Sequence, residues 1–392
     1  MAEQAEASTF KISENVKRSL WGLVFIGLVA LGIGLGLDAK RTWANFLLNG
    51  YYFLCLGVGG LLFSAIQYVS GARWSEVIRR IPEAVFSYIP VGGVVILLLY
   101  FGMHSLYEWT HLDEVAADHL LSHKSVYLNI PFFFVRMALI VALWTIFSKL
   151  IRENSLQQDE TGDLKFYHRN IKLSAVFIFV FAFSLSALSY DLIMSTEPHW
   201  FSTMFAVYNF AGLFVNALVV TALLAITLSE KGYFPQFTKD HLHDLGKFIF
   251  AFSVFWAYIW FSQFLLIWYA NMPEETIYFY RRFDSNFKLL FFINFFMNFV
   301  APFFVLMTRN AKRNPAVVKG VCIWLLAAHW LDLYLMIMPG TMGAKAGIGP
   351  LEIILPFGFA GVFLLVVLKH LSQAALVPQA SPFLEESLHH HQ

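Results

Sequence analysis

Apolar residues gather in ten long runs, at 19–37, 44–69, 85–107, 127–151, 171–195, 203–229, 246–271, 287–308, 316–338 and 350–370, separated by short polar stretches. A helix needs about 20 residues to cross a bilayer, and these runs are of that length. None alternates with the period of a strand, and backbone groups in lipid must be satisfied within the segment, so ten transmembrane helices are predicted rather than a barrel. The chain divides into a polar N-tail at 1–18, a membrane domain at 19–370 and a polar C-tail at 371–392. No small-residue cleavage site follows the first run, which therefore reads as a first span and not as a secretory signal. The fold class is an all-α integral membrane protein.

Composition agrees. The chain is 58% hydrophobic and 14% charged, against about 25% charged for soluble domains. A net charge of +1 gives no reason to expect a nucleic-acid partner. The distribution of charge says more. The connections on the side of the N-terminus carry 14 Lys and Arg, those on the other side 6. By the positive-inside rule both termini are cytoplasmic. Cys55 and Cys322 sit in separate apolar runs without a CxxC motif, as small buried residues do. Gly27, Gly32, Gly34 and Gly36 in the first run, and Gly57, Gly59 and Gly60 in the second, point to close helix packing.

Six costly groups lie inside the spans: His104, Arg136, Asp191, His329, Asp332 and Glu352. At about 1.5 Å per residue, His104, Asp191 and Glu352 lie roughly 3–6 Å from the outer ends of their helices, and Asp332, Arg136 and His329 roughly 9–13 Å in. Gln263 and Asn294 fall in the same half, whereas the inner half offers only edge lysines and weak candidates such as Asn216, Asn298, Ser184 and Ser64. The asymmetry predicts a polar cavity that opens outward and ends near mid-membrane, since charges at depth must pair or meet water. Arg136 needs a carboxylate, with Asp191 and Asp332 both available. His329 and Asp332 are i,i+3, close enough for the carboxylate to set the imidazole tautomer. Tyr100, His104 and Glu108 recur at i,i+4 as a stripe towards the outer surface. Helix–helix hydrogen bonding is the plainer reading of each of these groups alone; their clustering favours function.

Two connections are long. The one at 152–170 reads as a plain polar loop. The one at 108–126 carries Glu108, His111, Asp113, Glu114, Asp118, His119 and His123, and reads as a solvated acidic loop in preference to a metal site. The run His389-His390-His391 is a tail with no functional role assigned.

Three stretches carry a resemblance. Ser189-Tyr190-Asp191-Leu192-Ile193-Met194-Ser195, followed by Pro198-His199-Trp200-Phe201-Ser202-Thr203-Met204-Phe205 with Tyr208, Ala211 and Gly212, resembles a signature of polysulfide-reductase-type (NrfD-like) membrane subunits. The run from Phe261 through Trp268-Tyr269-Ala270-Asn271-Met272-Pro273-Glu274-Glu275-Thr276 is similar to the subunit-F branch of bacterial alternative complex III, a quinol:cytochrome c oxidoreductase. His329-Trp330-Leu331-Asp332-Leu333-Tyr334 with Met338-Pro339 fits the same branch. The resemblance implies two four-helix bundles from the second to the ninth span, with one peripheral helix at each end, in a bacterial cytoplasmic membrane. It implies as partners a homologous NrfD-like membrane protein that holds the quinol, a peripheral iron–sulfur subunit, haem c subunits and small membrane subunits, alongside lipid. Iron–sulfur clusters and haem c would belong to those partners, menaquinol or another quinol would be the substrate of the complex, and the present chain would hold no cofactor or metal. Here Thr196-Glu197-Pro198-His199-Trp200-Phe201 stands where the quinol-binding homologue has a Pro-Gly-Trp-His run, which moves the implied role from quinol oxidation towards proton movement and scaffold.

The function expected is thus that of a proton-moving subunit, with Asp191, His329 and Asp332 as relay, Arg136 tuning them, and His104 and Glu352 at the outer mouth. Four alternatives compete. One is a direct quinone site with Tyr190, His199 and Trp200 at its pocket. The others are an inert structural anchor, a haem b protein ligated by His104 and His329, and a secondary transporter with spans interrupted at Pro131, Pro302 and Pro356.

Overall fold

The computed structural model describes residues 10–283 and 287–391, so the beginning of the N-tail and the end of the connection at 272–286 lie outside it. Among the described residues ten helices are long and apolar enough to cross a membrane: α1 (Glu14–Leu37), α2 (Ala39–Ser70), α3 (Arg80–Leu106), α4 (Ile130–Thr161), α5 (Leu164–Thr196), α6 (Met204–Glu230), α7 (Lys239–Ala270), α8 (Lys288–Leu306), α9 (Pro315–Thr341) and α10 (Pro350–Leu371). No strand occurs among the described residues. The protein is an all-α, multi-pass membrane protein.

Packing divides the helices as two groups of four. α2, α3, α4 and α5 form one bundle and α6, α7, α8 and α9 the other, joined along α2 and α6. These two helices are the most deeply buried of the ten. α1 and α10 pack chiefly on each other and then on α2, so the two peripheral helices form a pair on one flank. Their crossing is glycine on glycine: a Cβ on Gly27 would lie 2.6 Å from the Gly358 Cα, so only glycine permits the approach. Of the other glycines in the first two runs, Gly59 packs where a Cβ would lie 2.7 Å from Ala217, whereas a Cβ on Gly32 or Gly36 would meet nothing within 4 Å among the described residues.

Several boundaries differ from the hydrophobic pattern. α4 runs on to Thr161, where Gly162 in a left-handed conformation (φ 69°) and Asp163, capping the Lys165 N–H, turn the chain directly into α5. The polar loop expected at 152–170 is therefore mostly helix. Pro131 falls in the first turn of α4 and interrupts nothing. α3 loses its regular turn over Leu98–Gly102, so Tyr100, His104 and Glu108 do not share one continuous stripe. In α8 the backbone widens to a π turn over Phe296–Val300, just before Pro302, whose ring has no N–H to give and would crowd the carbonyl of Asn298 in a regular helix.

The C-tail is docked. Ser387 is fully buried; its Oγ donates to the Trp74 carbonyl at 2.7 Å and accepts from the Val77 N–H at 3.2 Å. Glu386 pairs with Arg73, and His390 Nε2 lies 2.6 Å from Asp244. The tail thus lies across the face of the bundle on which α1 begins and α10 ends, called below the termini face.

Candidate functional site

The six groups predicted to share one polar cavity separate into distinct places. Arg136 on α4 chooses Asp191 on α5: Nε to Oδ2 is 2.8 Å. The guanidinium lies over the rings of Tyr127 and Phe132 at 3.8 and 4.3 Å, and Nη1 donates to the Tyr127 carbonyl. Glu352, near the start of α10, accepts from Arg41 Nε and Nη2 at 2.8 and 2.7 Å and from Asn45 at 2.9 Å. These are stapled pairs between neighbouring helices. His104 is exposed on the first bundle, with its carbonyl 2.8 Å from His111 Nε2. His329 is buried in the second bundle, so these two histidines do not face a common ligand.

Asp332 and His329, both on α9, are the groups that remain. Asp332 is 3% exposed and is held by three neutral donors: the Tyr208 hydroxyl, Asn294 Nδ2 at 2.7 Å and Trp256 Nε1 at 3.1 Å. No lysine or arginine among the described residues forms an ion pair with it. Contrary to the i,i+3 expectation, it does not orient His329, whose two ring nitrogens are buried with no protein partner. The π turn in α8 supports this arrangement. It sets Asn298 to donate both to Asn294 Oδ1 at 2.7 Å and to the Ala328 carbonyl, which orients Asn294 towards the carboxylate.

Two cavities of about 20 Å³ flank Asp332, each large enough for a water. The first lies towards the face opposite the termini and is lined by Arg282, Gln263, Asn294 and Tyr208. Gln263 Oε1 is buried there without a protein partner. The second lies on the other side and is lined by His329, Tyr51, Asn209 and Asn216. Asn216 Oδ1 is also unpartnered, and the Tyr51 hydroxyl donates to Asn209 Oδ1 at 3.0 Å beside Ser189. Polar atoms without protein partners around such a space are what ordered water satisfies.

The connection at 196–202 reaches this site through residues that hydrophobic patterning did not single out. Glu197 is 5% exposed and bridges Arg281 and Arg282, each at 2.9 Å. Arg282 also donates from Nε to the Leu335 carbonyl at 2.8 Å. That carbonyl is free because Pro339, four residues on, has no N–H to return to it. Gly340 makes room: a Cβ there would lie 2.4 Å from Glu197 Cγ. The readable signal was Pro339 directly after an apolar run, together with a glutamate in a connection that has no cation of its own.

The quinone-pocket candidates do not converge. Tyr190 donates to the Thr203 carbonyl, Trp200 is stacked on Tyr278 at 4.0 Å between centroids, and His199 is exposed, 2.6 Å from Asp118. That hydrogen bond from His199, with those from the Leu121 and Leu120 N–H groups, holds the Asp118 carboxyl below the ordinary carboxylate range. Burial pushes the neighbouring Lys124 down from its usual value; its Nζ donates to the Pro198 carbonyl at 2.6 Å. None of the three candidates lines either cavity beside Asp332.

The termini face carries a charged cluster in stretches that read from the sequence as polar connections. Glu83, at the start of α3, is fully buried between Arg80 at 2.6 Å and Ser155 at 2.5 Å. Arg80 continues to Asp159, and Arg79 pairs with Glu76 at 2.7 Å. The C-tail covers the cluster through Ser381 on Glu76 and the Ala380 N–H on Asp159. α2 passes both polar regions, with Cys55 at the cavity under Asp332 and Ser64 at a smaller one beside Arg79. These positions are about 13 Å apart along the helix, and Val58, Leu61 and Leu62 fill the interval. Ser184 lies elsewhere, accepting from Trp144 Nε1 at 2.8 Å. Among the described residues no three His, Cys, Asp or Glu side chains come together as a metal site. No protein-family model matches this chain, and no curated protein matches it significantly.

Proposed function

We propose that this chain is a proton-translocating membrane subunit of a quinol-oxidising respiratory complex of the alternative complex III type. One observation supports proton transfer above all: Asp332 is a buried carboxyl without a counter-ion, seated between two water-sized cavities, one of them lined by a histidine with both nitrogens free of protein partners. Intramembrane carboxyls of this kind mark proton relays. Asp332 would be the site that takes up and gives up the proton. Water in the first cavity would link it towards the face opposite the termini, and water beside His329, Asn216 and Tyr51 would link it inwards. The apolar stretch of α2 between Cys55 and Ser64 separates this half from the Glu83 cluster, as a path that must not leak requires.

The complex itself rests on the resemblance of the runs at 189–205, 261–276 and 329–339. In that setting the iron–sulfur and haem c subunits carry electrons, the homologous NrfD-like partner oxidises quinol, and this chain lies beside it in a bacterial cytoplasmic membrane with its termini inside. Asp191 with Arg136, and Glu352 with Arg41, serve as scaffold, because each carboxylate is already neutralised across a helix pair. The test is Asp332→Asn in the assembled complex. Quinol oxidation with protons released per electron clearly below wild type supports the relay; unchanged proton release sinks it.

A further inference from the structure

Arg282 stands between the protein surface and the cavity beside Asp332, and its guanidinium is fixed on all sides. Nε and Nη2 donate to the Leu335 and Met336 carbonyls at 2.8 and 3.1 Å, Nη1 to the Tyr278 carbonyl at 2.7 Å, and Nη2 also to Glu197 at 2.9 Å. The carbon of the guanidinium lies 3.3 Å from the centroid of the Tyr278 ring. Outward of it, Glu197 holds the half-exposed Arg281. Inward, Arg282 lines the same cavity as Asp332, Tyr208 and Gln263.

Without that guanidinium the cavity would suit a small hard cation. It offers the Asp332 carboxylate, the Tyr208 hydroxyl and the unpartnered Gln263 Oε1, and oxygen ligands are what such cations take. We propose that Arg282 is a specificity-determining residue that keeps metal cations off Asp332, so that the site exchanges protons alone. The inference rests on Asp332 being the proton site. The discrimination is electrostatic. A proton bonds to the carboxylate oxygen itself and leaves a neutral carboxyl in the cavity that the arginine also lines. A sodium ion would remain a separate full charge in the cavity, confronting the fixed guanidinium in an interior of low dielectric, where like charges repel strongly. Glu197 and the three helix carbonyls prevent the arginine from withdrawing, which makes the barrier permanent.

The experiment is equilibrium binding of radioactive sodium to the full chain, purified with its co-purifying subunits. It needs no turnover, so its result stands apart from proton release in the Asp332→Asn protein. Wild type and Arg282→Lys, which keeps the charge, are expected to bind no sodium at this site. The double variant Glu197→Gln with Arg282→Gln removes the barrier without stranding a buried carboxylate. It is expected to bind about one sodium per chain, lost again when Asp332→Asn is added. Sodium binding by wild type that disappears in Asp332→Asn overturns the proposal, and this measurement does not depend on any Arg282 variant folding. A folded double variant that binds no sodium overturns it as well.

Discussion

Arg136 Nε lies 2.8 Å from Asp191 Oδ2, in the first bundle, while Asp332 in the second bundle is hydrogen-bonded by the neutral donors Tyr208, Asn294 and Trp256. The two aspartates therefore have opposite physical characters. Asp191 is tied to a fixed cation and is 1% exposed at the side chain, against 13% for Arg136. Removing one partner of a buried pair leaves the other charge uncompensated, which costs about 3–5 kcal/mol. Arg136→Leu is expected to destabilise the protein by that order, and Arg136→Leu with Asp191→Leu to recover most of it. Thermal unfolding in detergent, read as a double-mutant cycle, checks this. Two independent, additive losses would show that the pair is not the staple described.

Gly340 and Glu197 give a second test. A Cβ at 340 would come within 2.4 Å of Glu197 Cγ and 3.0 Å of Oε1. The glutamate cannot easily yield, because both of its oxygens are held by arginines. Gly340→Ala should cost about 1–3 kcal/mol, as overpacking does. Gly347→Ala, where nothing lies within 4 Å, is the control and should be nearly neutral. Equal unfolding temperatures for the two variants would refute the tight seating of Glu197.

How much of this was legible in the sequence depends on the scale. Ten spans and the all-α class follow from runs of apolar residues long enough to cross a bilayer, and length alone marks them. The individual partners do not follow. Helix rotation decides whether Arg136 meets Asp191 or Asp332, and hydrophobic spacing leaves that rotation open. Backbone distortions matter as much. The break over Leu98–Gly102 removes the expected stripe through His104, and the π turn over Phe296–Val300 sets Asn298 on Asn294 and so orients Asn294 towards Asp332. Glu83, Arg80 and Asp159 read as polar connection residues because helix ends outside the apolar core look like loops. Only the folded tail, with Ser381 and Ala380 over them, makes their burial visible.

The docked tail yields a prediction of its own. Ser387→Ala leaves the Val77 N–H and the Trp74 carbonyl without their partner in a buried position. An unsatisfied buried group costs about 1–3 kcal/mol. The loss should fall on the tail alone, as faster amide exchange and proteolysis over 372–391 with the membrane helices unchanged. Unaltered protection of that segment would show that the docking does not depend on the serine.

Acidification should loosen the contact between His199 and Asp118. The folded carboxyl is depressed from its ordinary value of 3.8, first through the hydrogen bond from His199. A carboxyl depressed on folding contributes stability that is present above its unfolded value and is lost as pH falls through the folded one. The contact should therefore persist at neutral pH and disappear only below about 3.8. Amide exchange at 118–124 and 197–203 followed on acidification reads this, and Asp118→Asn should remove the dependence. A transition at the same pH in that variant would assign it to another group.

His329 offers the sharpest separation between structure and function. A buried polar side chain usually supports its surroundings, so its removal leaves broken hydrogen bonds behind. Here both ring nitrogens lack a protein partner, and the ring meets Trp256 edge-on at 5.9 Å. Replacing such a group by an apolar one of similar size strands no protein donor or acceptor bonded to it, which makes the change nearly neutral. His329→Leu should therefore assemble normally, with stability within about 1 kcal/mol of wild type. If water in the adjacent cavity carries protons to Asp332, the same variant should lower proton release, because among the described residues His329 supplies the one imidazole lining that cavity. Asp332→Leu contrasts with it, since it abandons the donors of Tyr208, Asn294 and Trp256 together and should reduce assembly as well. Unfolding temperature and protons released per electron, measured on both variants, check the contrast. An unstable His329→Leu protein would assign the imidazole a packing role, and a stable one with wild-type proton release would remove it from the path.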